Sequence, residues 1–363
     1  MAIPKEDVTP HTFTAEASAG LAGPDWLQER RAAGYDAFAS SVLPSESEEV
    51  WRYTPIDKLV LDDFAPPGSE GAAPAGDQLL AALTTSLGAI AGSVLVHNGR
   101  ASAYTTTVST GAGRGAQLAF GRADDVPGAA DMLGAVQEGG DALVRLNDAF
   151  APDPVFVDVP AGLHVDAPLL LVHWCDAASA FPRTCVRVGG GARVSVVEVF
   201  AGAPGAGRTL VVPVTELAAA DDASVSYVSL QILGDAAWSI ARLAARGTAN
   251  SSVRTFTVGL GGSYDRVRAD VSVEGRDAHS EILSAYLGDG TQVHDIRTLQ
   301  DHVAPRTQSE LLCQGAVAGS SRSVYSGLIR VHRGAVRSDA RQTNHNLVLD
   351  EGAHADSVPN LDI

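Results

Sequence analysis

SEILSAYLGDGTQVHDIRTL, residues 280–299, holds two strand-like runs, 280–287 and 291–299, with Gly-Asp-Gly turning the chain between them. The doublet recurs on both sides. Residues 309–317 and 323–332 follow it across Ala-Gly-Ser-Ser, and 193–200 with 208–217 and 224–233 with 238–246 precede it. Ala192, Ala223, Ser251, Ala278, Thr307 and Ala335 each introduce such a run, at spacings of 31, 28, 27, 29 and 28. Two strands and two turns per period make a coil that buries its apolar face only against neighbouring coils. Within the runs Phe256, Val258 and Leu260 share one face, as do Val228, Leu230 and Ile232, with Thr255 and Ser229 facing away. A β-sandwich alternates in the same way, but the regular coil length, free of long Greek-key connections, favours a solenoid. The expected fold is mainly β, a β-helix over residues 151–363.

Two other regions precede it. Residues 1–65 read as an N-terminal helical region: Pro24-Asp25 opens a helix with a proline and an acidic first turn, and Pro44 and Pro55 break the run beyond it. Residues 66–150 read as a mixed α/β linker region. Within it, 66–76 is a Pro, Gly, Ala and Ser loop, 77–87 a helix, 93–97 a strand, and 130–150 one helix with apolar spacing of three and four.

Composition excludes several classes. The 26 basic and 43 acidic residues leave a formal charge of −17, which repels nucleic-acid phosphates and anionic lipid, so neither nucleic acid nor membrane is an expected partner. The most apolar stretch, 81–96, is broken by Thr84, Thr85, Ser86 and Ser93 and is shorter than the ~20 residues a span needs. With an N-terminus that reads as no secretory signal and only three cysteines, Cys175, Cys185 and Cys313, the expected location is the cytoplasm. Lysine occurs only at Lys5 and Lys58, so no P-loop and no Schiff-base lysine lies beyond residue 58.

The motifs that carry chemistry are weak. Glycines cluster at 111–115, 189–191 and 259–262, but none of the clusters forms GxGxxG, and they read as solenoid turns. His294-Asp295 and Asp301-His302 lie eight residues apart. That spacing aims both imidazoles at one strand face, half a metal site if His332, His345, His354 or Cys313 completes it. Structural histidines are the simpler reading. Cys175 and Cys185 flank a turn that allows them to meet across it, but buried inert thiols are the commoner reading for all three cysteines, and Asp62-Asp63, Asp124-Asp125 and Asp221-Asp222 read as turn residues. No catalytic, cofactor-binding or metal-binding residue is assigned, and the chain is not expected to be an enzyme.

Trp51-Arg52-Tyr53-Thr54 after Glu48-Glu49, the stretch from Leu146-Asn147 to Pro168, His294-Asp295 to His302, Ser326-Gly327-Leu328-Ile329-Arg330-Val331, Gln342 to Leu349 and Ser357-Val358-Pro359-Asn360-Leu361 together resemble the SufD family, paralogues of SufB in iron–sulfur cluster assembly. The resemblance spans nearly the whole chain. It implies a helical N-terminal domain, a right-handed parallel β-helix, and a C-terminal helical domain that grips the SufC ATPase. It also implies a Cys-Ser-His motif after the strand ending Pro-x-Leu-x-Ile, whose histidine is associated with cluster assembly at the SufB interface. Ile363 ends this sequence before that motif. The chain is therefore expected to be C-terminally truncated relative to the family, to supply no such histidine and to lack the SufC-docking helices.

The function implied is a non-catalytic scaffold subunit of the SUF complex, pairing with SufB and the SufC ATPase, with the iron–sulfur cluster handled by the complex and no cofactor held by this chain. The alternatives are a β-helix carbohydrate-active enzyme, which wants paired acids or a calcium site, and a purely structural solenoid. The last strands carry Leu347, Val348, Leu349, Leu361 and Ile363 with no following coil. An open strand edge pairs with an arriving strand, so these five residues are the expected partner interface, for SufB or for a second copy as a homodimer.

Overall fold

The computed structural model describes residues 12–363 apart from 69–72, 107–116, 138 and 206. The start of the N-terminal helical region and the 111–115 glycine cluster lie outside the described residues. The described chain opens with α1 (Ala15–Ala19), whose first turn is capped by Thr14 Oγ1 accepting from Ala17 N, and α2 (Asp25–Ala39). Beyond Ser40 it runs through 3-10 turns at Glu49–Trp51, Ile56–Lys58 and Leu61–Asp63. α3 (Pro74–Leu87) begins inside the segment read as a loop, with Pro74 at the start of the helix, where an N–H has no helical partner. Next come β1 (Gly92–His97), β2 (Arg100–Thr106), β3 (Ala119–Gly121), α4 (Ala129–Met132) and α5 (Ala142–Phe150). The single helix expected over 130–150 is thus two. Between them Gly134 and Gly139 sit at φ 77 and 72, and the N–H groups of Gly134, Val136 and Gln137 donate to the buried Glu216 carboxylate instead of to a helix. Asp141 then caps α5 by accepting from Leu143 N and Val144 N.

The rest is strand: β4 (Val155–Val159), β5 (Leu169–Trp174), β6 (Ser179–Ala180), β7 (Arg183–Val188), β8 (Arg193–Ala201), β9 (Leu210–Val211), β10 (Val214–Ala219), β11 (Ser224–Ile232) and β12 (Trp238–Gly247). It continues with β13 (Ser252–Gly259), β14 (Tyr264–Val273), β15 (His279–Gly288), β16 (Val293–His302), β17 (Gln308–Val317), β18 (Arg322–Val331), β19 (Asp339–Val348) and β20 (His354–Asp362). The run read as 208–217 is broken at Pro213, which has no N–H for a ladder. Two sheets result, ordered β19-β17-β15-β13-β11-β8-β5-β1-β2 and β20-β18-β16-β14-β12-β10-β7-β4-β3. The ladders from β4 and β5 onward are parallel, and β1–β2 and β3–β4 close one end as antiparallel pairs. The molecule is a parallel β-solenoid of about seven turns.

A column of left-handed residues makes the coil repeat. Gly162, Gly191, Asp222, Asn250, Asp277, Arg306 and Arg337 have φ between 56 and 73 and mark the same corner of successive coils. In six of the seven coils a small residue comes next, which is why the sequence shows a period. The register moves one marker: Gln308 pairs with Asp339 and Thr307 Oγ1 lies 3.0 Å from Ser338 Oγ, so the sixth position is Ser338, not Ala335. The loop before β19, residues 332–338, is two residues longer than the one before β17, residues 303–307, and this causes the slip.

The strand faces are also distributed unexpectedly. Thr255 and Thr257 are buried inside, while Phe256 and Val258 point outward and are half-covered. The early part of this outer face is apolar because α3 lies on it, Leu79, Leu80 and Leu83 packing near Leu170, Val172 and Val199. A second cluster, including Phe13, Phe38, Trp51, Phe150 and Tyr264, joins the N-terminal helices to the other sheet. Trp51 lies under the Arg266 guanidinium, 3.6 Å from ring centroid to Cζ, an arrangement worth about 2 kcal/mol when desolvated. Arg266 Nη2 donates to Val50 O and Arg297 Nη2 to Arg52 O, so Trp51-Arg52 acts as a latch across the solenoid.

Candidate functional site

Three sets of residues carry chemistry. The first is a buried network around Glu198, on the interior column that also holds Leu171 and Cys313. Glu198 Oε1 accepts from His173 Nε2 (2.7 Å) and Thr184 Oγ1 (2.6 Å), and Oε2 accepts from Thr215 Oγ1 (3.1 Å) and Tyr227 OH (2.5 Å). Burial alone pushes the Glu198 carboxyl up; the donors, His173 foremost, outweigh it and hold the group below the usual glutamate range. Four donors on one carboxylate make a rigid core element. Sequence reasoning passed over it, since its members lie on five different strands.

The second set is the His294/His302 pair. Both rings are buried in β16, yet they do not converge on one site. His302 is bonded at both nitrogens, Nδ1 to Thr307 Oγ1 (2.7 Å) and Nε2 to Ser309 Oγ (2.8 Å). Its neighbour Asp301 faces out to His332, and Asp295 faces out to Arg266 and Arg297. His294 is different: among the described residues neither nitrogen has a hydrogen-bond partner, and Asp265 of the preceding coil places Oδ2 3.5 Å from Nδ1. Among the described residues no group of three or more His, Cys, Asp or Glu gathers. Cys175 and Cys185 do not meet either; they are free thiols in separate apolar clusters. Burial pushes all three thiols up, Cys313 to about 12, which leaves them protonated and unreactive.

The third set is the open end. Among the described residues β19 pairs only with β17 and β20 only with β18, so each sheet ends there on an unpaired edge. Leu347, Val348, Leu349, Leu361 and Ile363 are 66%, 52%, 62%, 64% and 87% exposed. They form two groups on that edge. Leu347, Val348 and Leu349 lie where β19 enters the turn to β20, and Leu361 and Ile363 where β20 runs out. Leu287 on β15 is exposed as well, one coil further in than Ala316, which pairs with Leu347.

Comparison with known proteins agrees with this architecture. The family model described as "SUF system FeS cluster assembly, SufBD core domain" matches residues 173–363. An iron–sulfur cluster assembly SufBD family protein of Mycobacterium leprae is 41% identical over 118 residues, covering 31% of this chain and 30% of that protein. The iron–sulfur cluster assembly protein SufD of Escherichia coli is 24% identical over 328 residues, covering 88% of this chain and 74% of its own length. SufD of Bacillus subtilis is 24% identical over 224 residues, 60% of this chain and 51% of its length. The match to the mycobacterial relative thus spans under a third of that protein. With the family's core domain covering more than half of the residues, from the end of β5 through the last strand, the chain belongs to the SufBD family of SUF-system iron–sulfur cluster assembly proteins.

Proposed function

We propose that this chain is a non-catalytic scaffold subunit of the SUF machinery, which pairs with SufB and works with the SufC ATPase on a cluster handled by the assembled complex. The supporting observation is the open edge of β19 and β20, where two unpaired strands stand beside five exposed aliphatic side chains. Main-chain bonds across such an edge give affinity, and alternate side chains give specificity. The buried, protonated thiols and the absence of a gathered ligand set among the described residues favour a scaffold over a β-helix enzyme. No helix among the described residues is long and apolar enough to cross a membrane, which fits a cytoplasmic complex. The negative charge weighs against nucleic acid as a partner.

The test is size-exclusion chromatography with light scattering, on the chain alone and mixed with SufB. A heterodimer is expected with SufB, and association of two copies through the same edge without it. Val348→Asp combined with Leu361→Asp places unpaired charge in the interface at a cost of several kcal/mol, and each 1.4 kcal/mol is tenfold in affinity. Association should disappear while circular dichroism is unchanged. Undiminished association of the double variant would place the interface elsewhere.

A further inference from the structure

Inside the solenoid, Asp265 of β14 and His294 of β16 are in-register neighbours on adjacent rungs, with Ser323 of β18 on the next. Asp265 is 4% exposed and His294 0%. Asp265 Oδ1 and both His294 nitrogens lack any hydrogen-bond partner. Arg266, the nearest guanidinium in sequence, points to the outer face and bonds Asp295, so it does not neutralise the buried carboxylate.

Two features of the surroundings hold the pair in place. A Cβ at Gly259 would collide with the Asp265 carboxylate and come within 3.2 Å of His294 Nδ1, so the missing side chain at this glycine is what lets the carboxylate lie against β13 beside the imidazole. Tyr286 stacks on the imidazole with centroids 5.5 Å apart and fixes the plane of the ring.

The separation discriminates between ways of closing the pair. At 3.5 Å, Nδ1 and Oδ2 are too far apart for a good hydrogen bond, so a shared proton does not satisfy them. Two ligands each about 2.1 Å from a metal ion, at a tetrahedral angle, stand about 3.4 Å apart. Imidazole with carboxylate is a donor set suited to a first-row divalent ion.

We propose that Asp265 and His294 bind a divalent transition-metal ion in the interior of the solenoid, with water and the Ser323 hydroxyl available for its remaining positions. The site differs from the His294/His302 arrangement that the local spacing suggests, since its second ligand comes from the preceding coil.

The probe is Co2+, added to the full chain after chelator treatment and dialysis. Metal analysis and the visible absorption of imidazole-ligated Co2+ are the readouts. One equivalent is expected in the wild-type chain, together with an upward shift in melting temperature. The isosteric Asp265→Asn, which keeps the side-chain volume, should lower affinity about tenfold or more, as should His294→Gln. Gly259→Ala should weaken binding by displacing the Asp265 carboxylate while leaving both ligand residues in the chain. His302→Gln, whose ring serves Thr307 and Ser309, should leave Co2+ binding intact. If His294→Gln does not fold, Asp265→Asn decides. Failure of the wild-type chain to take up Co2+, or equal uptake by Asp265→Asn, would overturn the proposal.

Discussion

The early coils hold a buried carboxylate, Glu198, surrounded by four donors, whereas the later coils hold another, Asp265, whose Oδ1 has no hydrogen-bond partner among the described residues. Each stands beside a stacked histidine, His173 on Phe200 and His294 on Tyr286. The same fold element therefore contains one pair completed by the chain and one pair left for something else to complete. Beyond these donors the same coils bury Leu169, Leu171, Val194, Val196 and Leu217 fully. Toward β19 the interior turns polar, and the last rung ends in exposed aliphatics. On the proposed function, stability is expected to concentrate in the early coils and recognition in the late ones.

Replacing Glu198 by Ala should have the largest effect. It strands His173, Thr184, Thr215 and Tyr227 in the core, and a loss of about 3–5 kcal/mol in denaturant unfolding is expected. The network also sets an acid limit. Because the folded pKa of Glu198 lies below its unfolded value of about 4.3, its contribution is complete above that pH and is lost as pH falls through the folded pKa. Glu198→Gln should flatten the stability profile below about pH 4.3 and leave its slope near neutrality unchanged. A Glu198→Ala variant with wild-type stability would erase the contrast between the coils.

Two leucines sharpen it next. Leu171, fully buried in β5, should cost about 2–5 kcal/mol when replaced by Ala, whereas Leu361, on the open edge, should cost less than about 0.5. Asp265→Asn reverses the usual sign. Removing a buried charge without a donor should raise metal-free stability by about 1 kcal/mol, measured by urea unfolding in chelator. A loss instead would mean that Asp265 is already paired in the metal-free chain.

The coil period could be read because residues such as Ala192, Ala223 and Ala278 each follow a left-handed corner, and that geometry imposes a small buried residue beneath it. It slipped at Ala335 because the loop before β19 is longer and contains a small residue of its own. The break between α4 and α5 left a local trace in Gly134, Gly139-Gly140 and the capping Asp141, which the apolar periodicity outweighed in the reading of the sequence. The apolar spacing continues through it, and the carboxylate that captures its N–H groups, Glu216, lies about eighty residues away.

The histidines show the same limit. His294 and His302 attract attention because they share a strand, but a solenoid brings together residues one coil apart. His294 and Asp265 are separated by 29 residues, a coil length that the sequence itself displays. Searching for acid and imidazole at that period, rather than within one strand, would have found the pair. The Glu198 network obeys no single period, because its donors come from both sheets.

Hydrogen–deuterium exchange of the chain, alone and with SufB, compares the two regions in one experiment. Amides of β19 and β20 are expected to gain protection on adding SufB, while those of β8 and β11, already paired on both sides, exchange at unchanged rates. Protection appearing elsewhere on the molecule, with β19 and β20 unchanged, would contradict recognition at the open edge.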